Sequence, residues 1–334
     1  MKLNDFNDVS AILGEELKLL TYLKKLKNRL YTSYYIKKKN GKREINTYLY
    51  KRRLSDLEDD IPQLHGYELA KLSRASEKLE EIHRKIDSRI LDEIELPECV
   101  NGFKKGESIK KAVQPHVGND YVACLDIHNF FPSVKSDYVL EGLQSCGIGA
   151  DAAWLIARLV SYKGHLPQGA VTSPKASNIA FMKVDKQILE LSRSKGITYT
   201  RYADDLVFSA NFELKDFVEE AIQLVTNVGY TINSQKIKFY GPKEPHYILG
   251  IIANSKLNMP RDKRRNLEAA IHNYVDKHLV PAGVNEIRYK KTLLGKAAYM
   301  LSINPNLGRL QKLVMKLREF DPNGIEFERI YLGD

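Results

Sequence analysis

Arg201-Tyr202-Ala203-Asp204-Asp205-Leu206-Val207-Phe208 is the stretch around which the rest of the chain falls into order. Upstream, Ile197-Thr198-Tyr199-Thr200 is rich in β-branched and aromatic residues, and downstream Leu206-Val207-Phe208-Ser209 is again apolar. Two short strands therefore flank adjacent aspartates, which makes a hairpin with acid at its tip. Asp is a favoured turn residue, so an ordinary turn accounts for the pair. Two carboxylates forced together also repel each other unless a cation sits between them, so the same tip can be read as a Mg²⁺ site.

Working outward, Tyr121-Val122-Ala123-Cys124-Leu125-Asp126-Ile127 reads as a buried strand closed by one acid. A carboxylate there is costly unless a basic partner or a cation is near it. His128-Asn129-Phe130-Phe131-Pro132 places two aromatic rings just beyond, with Phe130 read as packing. A helical pattern runs from Tyr138 to Tyr162, in which Trp154 reads as core. Leu166-Pro167-Gln168-Gly169 through Pro174 is a loop leading into a helix from Lys175 to Leu191. Past the hairpin come a helix from Leu214 to Val228 and a strand from Tyr230 to Tyr240 that carries Lys236.

Towards the N-terminus, apolar residues at helical spacing predict one amphipathic helix from Val9 to Leu30. Ser33 to Asn46 reads as a basic hairpin turning at Asn40-Gly41, and Tyr67 to Ile90 as a helix. Ser108 to His116 is a short helix stopped by proline. His116 reads as a buried structural residue rather than a ligand, since no second His or Cys lies at ligand spacing. Towards the C-terminus, Tyr247 to Ala253 and Lys256 to Pro260 form a hairpin. Three basic-faced helices follow, over 264–274, 287–303 and 306–320.

The 334 residues are 43% hydrophobic and contain no apolar run long enough to span a bilayer, so a soluble globular protein is expected. The N-terminus shows no signal-peptide pattern, and three scattered cysteines suit a reducing compartment, which makes the cytoplasm the expected location. A formal net charge of +10, with basic clusters recurring along the chain, suits a polyanionic partner.

In chain order these elements are a strand ending in Asp126, a Gln-Gly loop with its helix, a hairpin bearing Asp204 and Asp205, and Lys236. Three carboxylates on adjacent strands could hold two divalent cations, one activating a 3′-hydroxyl and the other bracing a leaving pyrophosphate. A nearby lysine could protonate that leaving group. This is the chemistry of a nucleic-acid polymerase palm.

The sequence resembles the reverse transcriptases, and among them the bacterial retron type. The resemblance is carried by Asp126 with Phe130-Phe131-Pro132-Ser133, Leu166-Pro167-Gln168-Gly169 with Ser173-Pro174, Tyr202-Ala203-Asp204-Asp205, Ile232-Asn233 with Lys236, and Leu249-Gly250. Gly41-Lys42-Arg43 and Gly102-Phe103 with Ser108-Ile109 extend it, in family order.

It implies an α+β right-hand polymerase fold with an N-terminal helix over 1–30, fingers over 31–115, a palm over 116–245 and a palm-thumb hairpin with helical thumb over 246–334. By the same resemblance Asp126, Asp204 and Asp205, with the Ile127 carbonyl, hold two Mg²⁺, and Lys236 is the proton donor. Phe131 is a steric gate against the ribose 2′-OH. Arg43 with Lys39 or Lys42 holds the triphosphate, Gln168 and Gly169 line the dNTP pocket, and Tyr202, Lys263, Arg264 and Arg265 contact nucleic acid. The implied activity is RNA-directed DNA synthesis from dNTPs on a structured noncoding RNA, leaving DNA joined to it, beside an effector protein in antiphage defence.

Two elements depart from the retron pattern. Where retron enzymes resemble one another in Asn-Ala-x-x-His, this chain has Ala112-Val113-Gln114-Pro115-His116, and where they have Val-Thr-Gly it has Ile248-Leu249-Gly250. Alternatives are a non-retron defence-type or group II intron-like reverse transcriptase, or a non-catalytic RNA-binding scaffold of the same fold.

Overall fold

Asp5 accepts the backbone N–H groups of Asn7 and Asp8 and so starts the first helix, α1 (Phe6–Leu13). The computed structural model describes residues 3–37, 44–49, 67–323 and 325–330, with side chains for 3–31, 74–323 and 325–329. Gly14, at φ +63°, caps α1 through its N–H, and a second helix, α2 (Leu17–Leu26), begins three residues later. The single helix expected from Val9 to Leu30 is therefore two, because a left-handed residue ends the first. Strands β1 (Thr32–Lys37) and β2 (Glu44–Leu49) pair antiparallel from Thr32↔Leu49 to Lys37↔Glu44, as the hairpin pattern predicts. The turn at Asn40-Gly41, with Lys39, Lys42 and Arg43, lies outside the described residues. Helix α3 (Tyr67–Arg89) buries Leu79, Ile82 and Ile86 on one stripe, and the short helix α4 (Ile109–Val113) runs on through a 3₁₀ turn to the fully buried His116.

Next come β3 (Tyr121–Asp126), α5 (Phe130–Ser133), α6 (Ser136–Ser145) and α7 (Ala150–Val160). The helix expected across 138–162 is divided at Gly147, which takes φ +84°. Trp154 is half-buried, with Phe6 at 6.0 Å and Lys24 over its ring. Helix α8 (Ser173–Ser194) carries Pro174 in its first turn, where proline's missing N–H costs nothing. Strands β4 (Thr198–Tyr202) and β5 (Asp205–Ala210), helix α9 (Lys215–Asn227) and strand β6 (Lys238–Tyr240) follow. Lys236 sits on a 3₁₀ turn over Ser234–Lys236, not within a strand, because the Lys236 N–H turns back to the Asn233 carbonyl. The sheet order is β4-β5-β3-β6, with α8 packed on β4 and flanked by α6 and α9.

The chain divides into two compact units, residues 1–112 with 123–239 and residues 113–122 with 240–334. In the second, β7 (Tyr247–Ile248), β8 (Ile251–Ala253) and β9 (Leu257–Asn258) form a three-stranded meander. The strand expected over 247–253 is folded in two by Leu249 and Gly250, both at positive φ. The helices are α10 (Arg261–Asp276), α11 (Glu286–Ile303) and α12 (Gly308–Glu319), with Leu267, Ile271, Tyr274, Leu293 and Leu317 among their buried residues. A parallel pair, β10 (Leu279–Pro281) with β11 (Glu328–Ile330), was not legible in the pattern. Among the described residues no helix is long and apolar enough to cross a membrane.

His83, on α3, is fully buried and donates from Nε2 to the Leu159 carbonyl at the end of α7. Burial pushes its pKa down to about 4. The unfolded chain then takes up this proton at a higher pH than the folded chain, so the stability this group contributes is complete above about pH 6.5 and is lost as pH falls towards 4. Urea denaturation at pH 7.5 and pH 5 should show His83→Gln, which keeps a donor but cannot titrate, losing about 1–2 kcal/mol less than the parent over that interval. An equal loss in both would remove His83 as a source of acid sensitivity.

Candidate active site

The sheet order sets β5 beside β3, so the tip of the β4-β5 hairpin meets the end of β3. Tyr202 pairs with Asp205 across the hairpin, leaving Ala203 and Asp204 as its two-residue loop. The Ile127 N–H donates to the Asp204 carbonyl at 2.9 Å, and the Asp126 carbonyl accepts from Asn233 N–H at 2.8 Å. Asp126 is thus fixed between the acidic loop on one side and the segment bearing Lys236 on the other. Lys236 Nζ lies 2.6 Å from Asp126 Oδ2.

Charge is crowded here. Asp205 is pushed up to about 7, first by burial and then by the charges of Asp204 and Asp126. Burial also raises the Asp204 pKa, with Asp126 adding to it and Lys236 opposing it. Asp205 therefore feels both other acids and Asp204 feels Asp126, while the Lys236 ammonium opposes both shifts and Lys238 adds to it at Asp205.

The loop is held from beneath by Arg201, which is 0% exposed. Its Nε and Nη2 donate to the two carboxylate oxygens of Asp185 at 2.8 and 2.6 Å, and its Nη1 to Asn178 Oδ1 at 3.0 Å and the Ala203 carbonyl at 2.9 Å. Tyr199 donates its hydroxyl to Asp185 as well. Ala203 takes φ +57°, a conformation that non-glycine residues seldom adopt. Gly102 packs against it so closely that a Cβ would come within 2.4 Å of the Ala203 nitrogen. Asn178 Nδ2 donates to the Gly102 carbonyl, joining both segments to α8.

Phe130 is buried among Phe181 and Tyr230, whereas Phe131 is half-exposed with its ring 6.1 Å from that of Phe103. Phe130 is packing, as the sequence reading expects. Gln168 is half-exposed and Gly169 exposed on the loop before α8, which Ser173 fastens by donating to the Pro167 carbonyl. Lys263 and Arg265 are exposed on α10 of the second unit, and Arg264 is half-buried there.

Residues 71–253, more than half of the chain, match the family described as reverse transcriptase (RNA-dependent DNA polymerase). The chain belongs to the reverse transcriptase family. This reverse transcriptase is 28% identical to the retron Ec86 reverse transcriptase of Escherichia coli, over 90% of this chain and 84% of that one. It is 30% identical to the retron Mx65 reverse transcriptase of Myxococcus xanthus, over 68% of this chain and 57% of that one. A telomerase structure from Candida albicans, with a fragment of telomeric RNA, superimposes with a TM-score of 0.49 at 10% identity, over 86% of this chain and 60% of that one. The enzyme is an RNA-directed DNA polymerase of retron-like sequence.

Reverse transcriptases use divalent metal ions. Among the described residues, no three His, Cys, Asp or Glu side chains stand close enough together to enclose an ion as they are. The donor set nevertheless suits a hard cation: it is all carboxylate oxygen, mutually repelling, and one member has drawn in the nearest ammonium to offset its charge. The site thus fits such a metal in the chemistry of its donors.

Asn178 and Asp185 escaped the sequence reading, and Gly102 entered it only as part of the resemblance, with no task assigned. Asn178 and Asp185 are seven apart, two turns of α8, and so share a face. That spacing, facing a strand arginine, was the available signal. Arg201→Met and Asp185→Leu should each lower the unfolding free energy of this unit by about 3–5 kcal/mol, because each leaves a buried group unpaired. The double variant R201M/D185L should recover much of that loss in the same urea titration. Additive losses would show that the pair does not act as a unit.

Proposed function

We propose that this reverse transcriptase extends a primer with dNTPs on a dedicated structured noncoding RNA, using two Mg²⁺ held by Asp126, Asp204, Asp205 and the Ile127 carbonyl. The observation that carries this reading is the convergence of the three acids and Lys236 at one corner of the sheet. Bound there, the metal ions would favour ionisation of the primer 3′-hydroxyl and offset charge on the leaving pyrophosphate.

The chain's own groups have separate tasks. Asp126 and Asp204, tethered through the Ile127 N–H, keep the reacting groups in register. Lys236 gives up a proton from Nζ to the pyrophosphate oxygen as the P–O bond breaks, and its place beside Asp126 supports that role. Phe131, half-exposed and backed by the buried Phe130, excludes a ribose 2′-OH. Arg43 with Lys39 or Lys42 holds the triphosphate, Gln168 and Gly169 line the dNTP pocket, and Tyr202 meets the primer end. We assign 1–30 to the N-terminal helical segment, 31–115 to fingers, 116–245 to palm and 246–334 to the palm-thumb hairpin and thumb, where Lys263, Arg264 and Arg265 grip phosphates. The product is DNA joined to its RNA, made in the cytoplasm beside an effector protein in antiphage defence. The similarity to retron enzymes supports that biological setting.

Asp204→Asn should abolish dNTP incorporation on primed RNA, by at least about 10³-fold on the scale of lost charge stabilisation, while RNA retention on a filter stays within about twofold. Persisting synthesis would remove Asp204 from the metal site. Phe131→Ala should raise NTP relative to dNTP incorporation by at least about tenfold under single-turnover conditions, and an unchanged ratio would remove Phe131 as the gate.

A further inference from the structure

Phe103 sits in a turn at φ +58°, where glycine or asparagine would fit with less strain, and its ring is 37% exposed, so core packing does not account for it. Strain of this kind persists only where the surroundings impose it, and it clusters at functional sites. The surroundings here are residues 99–102, which lie along β4 through the Val100↔Arg201 bridge. Arg201 N–H donates to the Cys99 carbonyl at 2.7 Å, and Asn101 N–H to the Arg201 carbonyl at 2.9 Å. Gly102 then presses on Ala203, with its own carbonyl held by Asn178 at 2.8 Å. Phe103 follows directly and is presented by the same frame that holds the acidic loop. Its ring lies 6.1 Å from that of Phe131, inclined at 43°.

Phe131 needs such a neighbour. It stands on α5, a helix of four residues, and is half-exposed, with Phe130 flanking it at 5.8 Å. An exposed side chain changes rotamer within nanoseconds, and a ring free to swing aside excludes nothing. Discrimination against one hydroxyl requires the ring to be held to within about 0.5 Å. We propose that Phe103 is a positioning residue for dNTP selection, holding the Phe131 ring where it collides with a ribose 2′-OH. This rests on the reading of Phe131 as the gate. Phe103 acts through the contact between the two rings, a tilted pair at a separation that aromatic side chains favour. Because Gly102 bears on Ala203 and Phe103 on Phe131, the gate and the acidic loop take their places from one segment.

The test pairs a selectivity measurement with a direct view of the ring. Single-turnover incorporation of dATP and of ATP opposite a template uridine, on primed RNA with Mg²⁺, gives the preference for dNTP. ¹⁹F NMR of the full chain with 4-fluorophenylalanine in place of Phe131 reports how that ring is held, with no nucleotide present. Phe103→Ala should lower the preference about two- to tenfold, the range for one aromatic pair, and should shift or broaden the ¹⁹F line. The rate constant for dATP should stay within about twofold of the parent, a split that general loss of structure would not give. Phe103→Tyr keeps the ring and should restore both readouts. Phe103→Gly removes the ring but suits the positive φ, so it should unfold at no lower urea concentration than the parent while losing selectivity as Phe103→Ala does. Phe103→Ala added to Phe131→Ala should change the preference no further, because the support then has nothing to hold. A preference lowered by Phe131→Ala but unchanged by Phe103→Ala and Phe103→Gly overturns the proposal and leaves the gate standing. So does a ¹⁹F line indifferent to position 103, and so do losses that multiply in the double variant, since Phe103 would then meet the nucleotide itself. A preference unchanged by Phe131→Ala removes the gate, and this support with it.

Discussion

The bidentate pair between Arg201 and Asp185 is the interaction on which the rest of the site depends. Both groups are 0% exposed, so both have given up their hydration. A buried ion pair is poor value as stability alone, since apolar residues of the same volume often do as well. What it supplies here is position. Arg201 uses its rigid fork of donors on a helix carboxylate, a helix amide and a loop carbonyl at once, which fixes α8 and the hairpin tip relative to one another. Tyr199, Asn178 and Gly102 complete a closed network around it. Asp204 and Asp205 stand on top of that network, and their mutual repulsion works against a loop that cannot relax.

The local order at this corner follows from the same restraint. A free Asp-Asp turn would splay its carboxylates and stay fully ionised. Burial at a sheet end, with Asp126 on the adjoining strand, instead keeps a proton on Asp205 up to about pH 7. An acid so placed weakens the folded state once ionised, because the unfolded chain carries the same charge in water. The corner is a place where the fold tolerates electrostatic strain, with the uncharged packing behind it taking the load: Phe130, Phe181 and Tyr230 form one aromatic cluster beneath the strand-to-helix junction.

Sequence periodicity reached the helices, the central hairpin and the position of Asp126 because each is encoded within a few residues. The break at Gly14 and the turn at Leu249-Gly250 were missed because the apolar pattern runs on across both, and only the backbone conformation interrupts it. Lys236 was placed near the acids, though on the wrong element: a β-rich stretch gave no sign of the 3₁₀ turn that aims it at Asp126. The partners of Arg201 were hardest to see. Polar residues on an amphipathic helix ordinarily mark its solvent face, and nothing short of the strand arginine sixteen residues away distinguishes Asp185 from such a residue.

The two elements that depart from the retron pattern keep one residue each, and packing explains which. His116 is fully buried, with its pKa pushed down to about 3 by that burial, so it is kept as a neutral core group. Gly250 takes φ +81° in the turn that reverses β7 into β8, where a side chain would be strained. The residues exchanged beside them include Ala112, Val113 and Ile248, which are buried in their turn. His116 and Gly250 belong to the second unit, and within it Gly118 N–H donates to the Asn254 carbonyl at 2.8 Å, tying the segment after His116 to the meander that contains Gly250.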